Sequence, residues 1–146
     1  ENNVAKDFPK LRQKALHLLQ EEDELNEIVQ LVGVDSLSFT DRLKLETAKS
    51  IREDYLHQNA FHEIDTFTST TKQYLLLKMI LGWHEAAIKA VGEGGSFKKI
   101  TEMSAREQIG RFKYVEEAKI QEQYEAILAE MTAEFDEIVQ KEAELA

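Results

Sequence analysis

Tyr74-Leu75-Leu76-Leu77-Lys78-Met79-Ile80-Leu81-Gly82-Trp83-His84-Glu85-Ala86-Ala87-Ile88-Lys89-Ala90-Val91 is the stretch that decides the fold class. Tyr74, Leu77, Leu81, His84, Ile88 and Val91 recur three and four residues apart, and Leu76, Ile80, Trp83 and Ala87 widen the stripe. That period belongs to a helix, because a strand would alternate every second residue. The hydroxyls of Thr68-Ser69-Thr70-Thr71 offer N-caps before it, and Gly92-Glu93-Gly94-Gly95 stops it.

The same reading extends in both directions. Upstream, Asp7-Phe8-Pro9 is a helix entry, with Asp7 as N-cap and proline in the first turn. Leu11, Ala15, Leu18, Leu25, Val29 and Val32 then form one stripe, with a kink or solvent-facing turn expected at Glu21-Glu22-Asp23-Glu24 and a stop at Gly33. Ser38 and Asp41 make a capping pair for a second helix, whose buried side is expected to carry Leu45, Ala48, Ile51 and Tyr55. Downstream, a short helical turn spans Phe97 to Ile100. Ser104 with Glu107 reads as a capping box for a helix through Phe112-Lys113-Tyr114. From Glu116 to the end, Ile120, Tyr124, Ile127, Met131, Phe135 and Ile138 predict a long helix, either part of the same domain or an extension beyond the bundle. The expected fold is all-α: a bundle of about five to six helices at 1–115, with a long C-terminal helix at 116–146.

Composition agrees. The 146 residues are 42% hydrophobic and 32% charged, with one proline, which suits a packed helical domain better than a many-turned β-protein. A net charge of −10 argues against a general nucleic-acid binder, since phosphate contacts need clustered Lys and Arg. The absence of cysteine excludes disulfides and thiolate chemistry. No apolar run approaches the roughly 20 residues that span a bilayer. Glu1 in place of a starting methionine reads as a processed chain or a piece of a longer one.

Candidate chemistry is sparse. Gly92-Glu93-Gly94-Gly95-Ser96-Phe97-Lys98-Lys99 looks like a phosphate loop, but it lacks the G-x-x-x-x-G-K-[ST] order and follows a helix, so it reads as a stop and turn. His17, His57, His62 and His84 form no H-E-x-x-H pair. His84 on the apolar stripe reads as a hydrogen-bonded core histidine, while His62 with Glu63 and Asp65 is an outside candidate for a metal site. The acids at Glu21 to Glu24 read as a solvated face. Phe61 and Phe67 stand six residues apart in a polar loop. Two aromatic faces so placed either sandwich a planar base, at roughly 1–3 kcal/mol per stacked contact, or anchor the loop to the helices.

Several words occurring in order carry a resemblance: Glu27-Ile28-Val29-Gln30-Leu31-Val32-Gly33, Ile51-Arg52-Glu53-Asp54-Tyr55-Leu56 and Gln58-Asn59-Ala60-Phe61-His62. Asp65-Thr66-Phe67, Lys72-Gln73-Tyr74 and Arg106-Glu107-Gln108-Ile109 extend it. From about Phe8 to Tyr114 the chain resembles the C-terminal helical domain of the catalytic A subunit of archaeal- and vacuolar-type rotary ATPases. The resemblance implies an adenine-side role for Phe61, and for Phe67 through a distant F-type relative. It also implies a stalk-facing loop at Asp35, Ser36, Leu37, Ser38, Phe39, Thr40 and Asp41. The F-type loop reads Asp-Glu-Leu-Ser-Glu-Glu-Asp, of which only Asp35, Leu37, Ser38 and Asp41 agree, so an acidic contact is not implied.

By the same resemblance the whole subunit works on ATP or ADP with magnesium, beside non-catalytic B subunits and central-stalk subunits, on the cytoplasmic face of a membrane. The phosphate loop, catalytic glutamate and metal ligands belong to a domain this chain lacks. This segment alone is therefore expected to be neither catalytic nor a tight nucleotide binder, and not to insert in the membrane. The alternative is a stand-alone interaction module that docks a partner helix on the 116–146 stripe.

Overall fold

A computed structural model of the chain describes residues 6–56 and 70–145, the last three by backbone alone. Among these residues the fold is all-helical, with α1 (Phe8–Val32), α2 (Phe39–Ser50), α3 (Thr70–Gly92), α4 (Phe97–Thr101), α5 (Ser104–Arg111) and α6 (Ile120–Leu145). A 3₁₀ turn at Val34–Ser36 joins α1 to α2, α2 runs on into a π-helical stretch at Ile51–Leu56, and 3₁₀ turns at Phe112–Tyr114 and Glu117–Lys119 connect α5 to α6.

The opening stretch forms the middle of the molecule. Tyr74, Leu75, Leu76, Leu77, Met79, Ile80, Leu81, Trp83, Ala87 and Ala90 are all buried, so α3 is covered on nearly every side. A helix apolar around most of its circumference has no stable place on a surface. Helices α1 and α2 pack on one side of α3, and α5 and α6 on another. No helix among the described residues is long and apolar enough to cross a membrane.

Four expectations change on contact with the structure. The predicted stripe of α2 holds at Ala48 and Ile51, but ahead of them Leu43 and Thr47 are buried while Leu45 is only half-buried. At 3.6 residues per turn Leu45 stands about 200° from Leu43, on another face. Val32 is exposed, because α1 runs past its packing partners after Leu25. Glu21–Glu24 neither kinks α1 nor forms a wholly solvated face. Glu22 is buried and takes Arg52 in a bidentate pair at 3.1 and 2.6 Å, while Glu21 holds Lys44 at 2.9 Å.

Ser104 and Glu107 do not form a capping box. Glu134 of α6 reaches across to accept from the backbone N–H groups of Ser104 (3.1 Å) and Ala105 (2.8 Å), and Glu107 instead pairs with Arg111. A carboxylate at a helix N-terminus serves two orphan donors at once, and a neighbouring helix can supply it as well as the local sequence can. Along α6 the predicted stripe, Ile120, Tyr124, Ile127, Met131, Phe135 and Ile138, is buried.

Other expectations hold. Ser38 Oγ accepts from Asp41 N at 3.1 Å to start α2. Asp7 sits at the N-cap of α1 and α1 begins at Phe8-Pro9, but the Asp7 carboxylate makes no cap bond. Instead it accepts from the Tyr74 hydroxyl at 2.9 Å, tying α1 to the start of α3.

Candidate functional site

The loop Asp35–Asp41 forms the tip of the α1–α2 hairpin. Gly33 has a φ of +93°, a left-handed conformation that only glycine adopts without strain, and it turns the chain out of α1. Ser36 Oγ donates to Gly33 O at 2.7 Å and closes the 3₁₀ turn. Leu37 is buried as the anchor of the loop. Around it the large side chains face outward, with Leu31 83% exposed, Val32 65%, Phe39 50% and Val34 45%.

The acids here are each set against a base, Asp35 3.5 Å from Arg42 and Asp41 3.7 Å from Lys44. The hydrogen bond and charge of Glu21, joined by Asp41, hold the Lys44 ammonium above its ordinary range. Arg42 also lies over the Phe39 ring at 5.2 Å, and the other side of the tip is backed by Phe97, whose ring stacks on Phe39 at 5.2 Å. The tip is thus an apolar pad on a braced frame. The sequence reading placed the loop but missed its character, because Val32 belongs by spacing to an apolar stripe and was expected to be covered.

At the other end of α2 the chain enters the π-helical stretch Ile51–Leu56. Such stretches are rare, and they are found frequently at functional sites. Arg106 is the hub beside it. Its guanidinium donates to Glu46 O (2.8 Å), Ser50 Oγ (3.3 Å) and Thr101 O (3.1 Å), pairs with the Glu46 carboxylate (2.8 Å), and lies 4.7 Å over the Trp83 ring. Phe61 and Phe67, the adenine-side candidates, lie outside the described residues, as do His57, His62, Glu63 and Asp65. No cluster of potential metal ligands occurs among the described residues.

The remaining candidates resolve plainly. His84 is buried with Nδ1 2.6 Å from Thr47 Oγ1, a core histidine joining α2 to α3, and burial holds its imidazole below the ordinary value. His17 sits on the surface near Glu21. Gly92–Lys99 is a stop and turn. The N–H groups of Glu93, Gly94 and Gly95 donate to Lys89, Val91 and Ala90 carbonyls, and Ser96 caps α4, so these amides cannot converge on a phosphate.

With this geometry established, comparison with known proteins settles the family. A family model described as the C-terminal domain of V and A type ATP synthase matches residues 1–101. The chain belongs to that family. The V-type ATP synthase alpha chain of Acetivibrio thermocellus is 50% identical over 142 residues, covering 97% of this chain and 24% of the relative. That of Clostridium botulinum is 49% identical over 141 residues, with the same shares covered. That of Thermoanaerobacter pseudethanolicus is 55% identical over 118 residues, covering 81% of this chain and 20% of its own length. The chain therefore spans about a quarter, or less, of the length of the relatives it matches. The matches at 97% coverage take in α5 and α6 as well, beyond the reach of the family model at residue 101.

Proposed function

We propose that this ATP synthase C-terminal domain transmits force between nucleotide sites and a rotating central stalk within a V/A-type ATP synthase, coupling ATP synthesis or hydrolysis to ion transport. The observation that carries this reading is the exposed apolar pad of Leu31, Val32, Val34 and Phe39 on a tip braced by Arg42 and Phe97. An apolar surface held rigidly at the end of a helical hairpin suits repeated contact with a moving partner, since it needs no specific ion pair to be remade at each step. The pad takes the stalk, and the acids of the loop serve as internal struts.

At the other end of α2, Phe61 forms part of the adenine wall, with Phe67 as a second aromatic. The phosphates and magnesium are bound by another part of the subunit, and the domain alone neither hydrolyses ATP nor holds it tightly. Residues 1–115 and 116–146 act as one unit, with non-catalytic B subunits and stalk subunits as neighbours on the cytoplasmic face of the membrane. The rival reading, a module that docks a partner helix on the 116–146 stripe, loses its surface because that stripe is buried in the bundle.

The test is Phe61→Ala and, separately, Leu31→Ser with Val34→Ser, in the assembled enzyme. Phe61→Ala is expected to raise the KM for ATP with kcat held, and an unchanged KM removes Phe61 from the adenine site. The tip changes are expected to lower torque or ion transport per ATP while leaving KM alone. If they abolish nucleotide binding instead, the stalk assignment is wrong.

A further inference from the structure

Arg106, Gly110 and Lys113 follow one another at spacings of four and three, along one face of α5 and the 3₁₀ turn that continues it. All three meet the end of α2. Arg106 holds the last α-helical turn through Glu46 O and Ser50 Oγ. Lys113 Nζ donates to Glu53 O at 3.3 Å and stands 4.0 Å from Asp54 Oδ1, inside the π-helical stretch. Between them Gly110 leaves room for Asp54, since a Cβ there would lie 3.2 Å from one carboxylate oxygen and 3.4 Å from the other.

Two further fastenings complete the arrangement. On the α1 side, Arg52 of the same stretch is fixed by Glu22. Lys72, buried in the first turns of α3, donates to Lys113 O at 2.8 Å. The chain before residues 57–69 and the chain after them are therefore both fastened to the end of α5. Asp54 adds an independent sign of strain. Its carboxyl is pushed up by burial, which Lys113 offsets only in part. A desolvated acid kept against a glycine weakens a fold, and such groups concentrate where function requires them.

We propose that the Arg106–Gly110–Lys113 face of α5 is a positioning seat for the π-helical stretch Ile51–Leu56, through which the domain sets the affinity of the assembled enzyme for the base of its nucleotide. The inference rests on the reading of Phe61 as an adenine-side residue. The three seat residues act through the stretch they hold.

The test uses Gly110→Ala, which adds a methyl against Asp54, and Lys113→Met, which keeps the aliphatic stem and removes the ammonium, each in the assembled enzyme. Expected are faster amide hydrogen exchange at residues 51–56 and a KM for MgATP raised about three- to tenfold with kcat nearly kept, a partial loss of base stacking. Equilibrium binding of magnesium tripolyphosphate, which has no base, stays unchanged. The double variant Gly110→Ala with Asp54→Ala brings the KM back toward wild type, because the added methyl then meets no carboxylate.

Unaltered exchange and KM in both single variants overturn the seat. Equal weakening of tripolyphosphate and MgATP also overturns it, as general distortion. Should Gly110→Ala fail to assemble, Lys113→Met decides by the same criteria. Phe61→Ala separates the two levels. A raised KM there beside unaffected seat variants leaves the adenine reading standing and removes the seat. An unchanged KM there removes the adenine reading, and the seat's link to the base falls with it.

Discussion

At its N-terminal end α2 emerges from a loop whose largest side chains face outward, and at its C-terminal end it passes into a stretch where even charged side chains are fastened. Near the tip Leu31 is 83% exposed and the acids sit 3.5 to 3.7 Å from their bases, a loose electrostatic frame around an apolar surface. At the other end Arg106 and Lys113, with Glu22 of α1, make hydrogen bonds of 2.6 to 3.3 Å to their partners, with the Lys113–Asp54 ion pair longer at 4.0 Å. One helix thus joins an end made to be touched to an end made to be held. The difference is one between an exposed apolar surface and a set of fastened backbone and side-chain groups, at opposite ends of the same helix.

The strongest way to break the comparison is at the held end. Ile51, fully buried where the π-helical stretch begins, should cost about 2–5 kcal/mol as Ile51→Ala, read by urea denaturation. A cost below 1 kcal/mol would mean that this end is not anchored. Next comes Arg106→Met, expected to cost about 2–3 kcal/mol by leaving the Glu46 and Thr101 carbonyls without a donor. A neutral result would show those bonds readily replaced by water.

Smaller again is a pH effect in the middle of α2, where Thr47 meets His84. The folded state holds this imidazole below its ordinary value of 6.5, chiefly through burial, so below 6.5 the unfolded chain binds the extra proton first. The stabilisation is therefore complete above 6.5 and declines as pH falls toward the lowered value. His84→Gln should flatten the stability profile between pH 7 and the acid limb, and an identical profile would show that His84 does not titrate there. At the touched end, Leu31→Ser should change stability by no more than about 0.5 kcal/mol. A larger loss would mean that Leu31 packs within the domain and is not part of an exposed pad.

The sequence made the helices legible wherever the signal was local. The stripe of α3, the stop at Gly33 and the Ser38 cap all follow from periodicity or from groups within four residues of one another. What stayed hidden were interactions across the bundle. Glu22 in an acidic run reads as solvated until Arg52, 30 residues on, is seen to reach it. Ser104 and Glu107 have capping-box spacing, yet the cap comes from Glu134. Leu45 lost to Leu43 because the packing of α1 and α3 decides which face of α2 is covered. Of the candidate site, the tip was marked in the sequence while its apolar character was not. Arg106 and the stretch Ile51–Leu56 stood in words that carry the resemblance, but no spacing brings them together, and their contact depends on which helix α5 faces.

The Glu134 cap has a consequence for the order in which the molecule can assemble. A chain is made from its N-terminus, so α1, α2 and α3 are synthesised before the codon for Glu134 is read. Until then α5 starts with its leading amides unpaired, and the clamp on the π-helical stretch waits on a helix that does not yet exist. The segment that caps α5 is thus synthesised after every helix of the bundle that it helps to lock together.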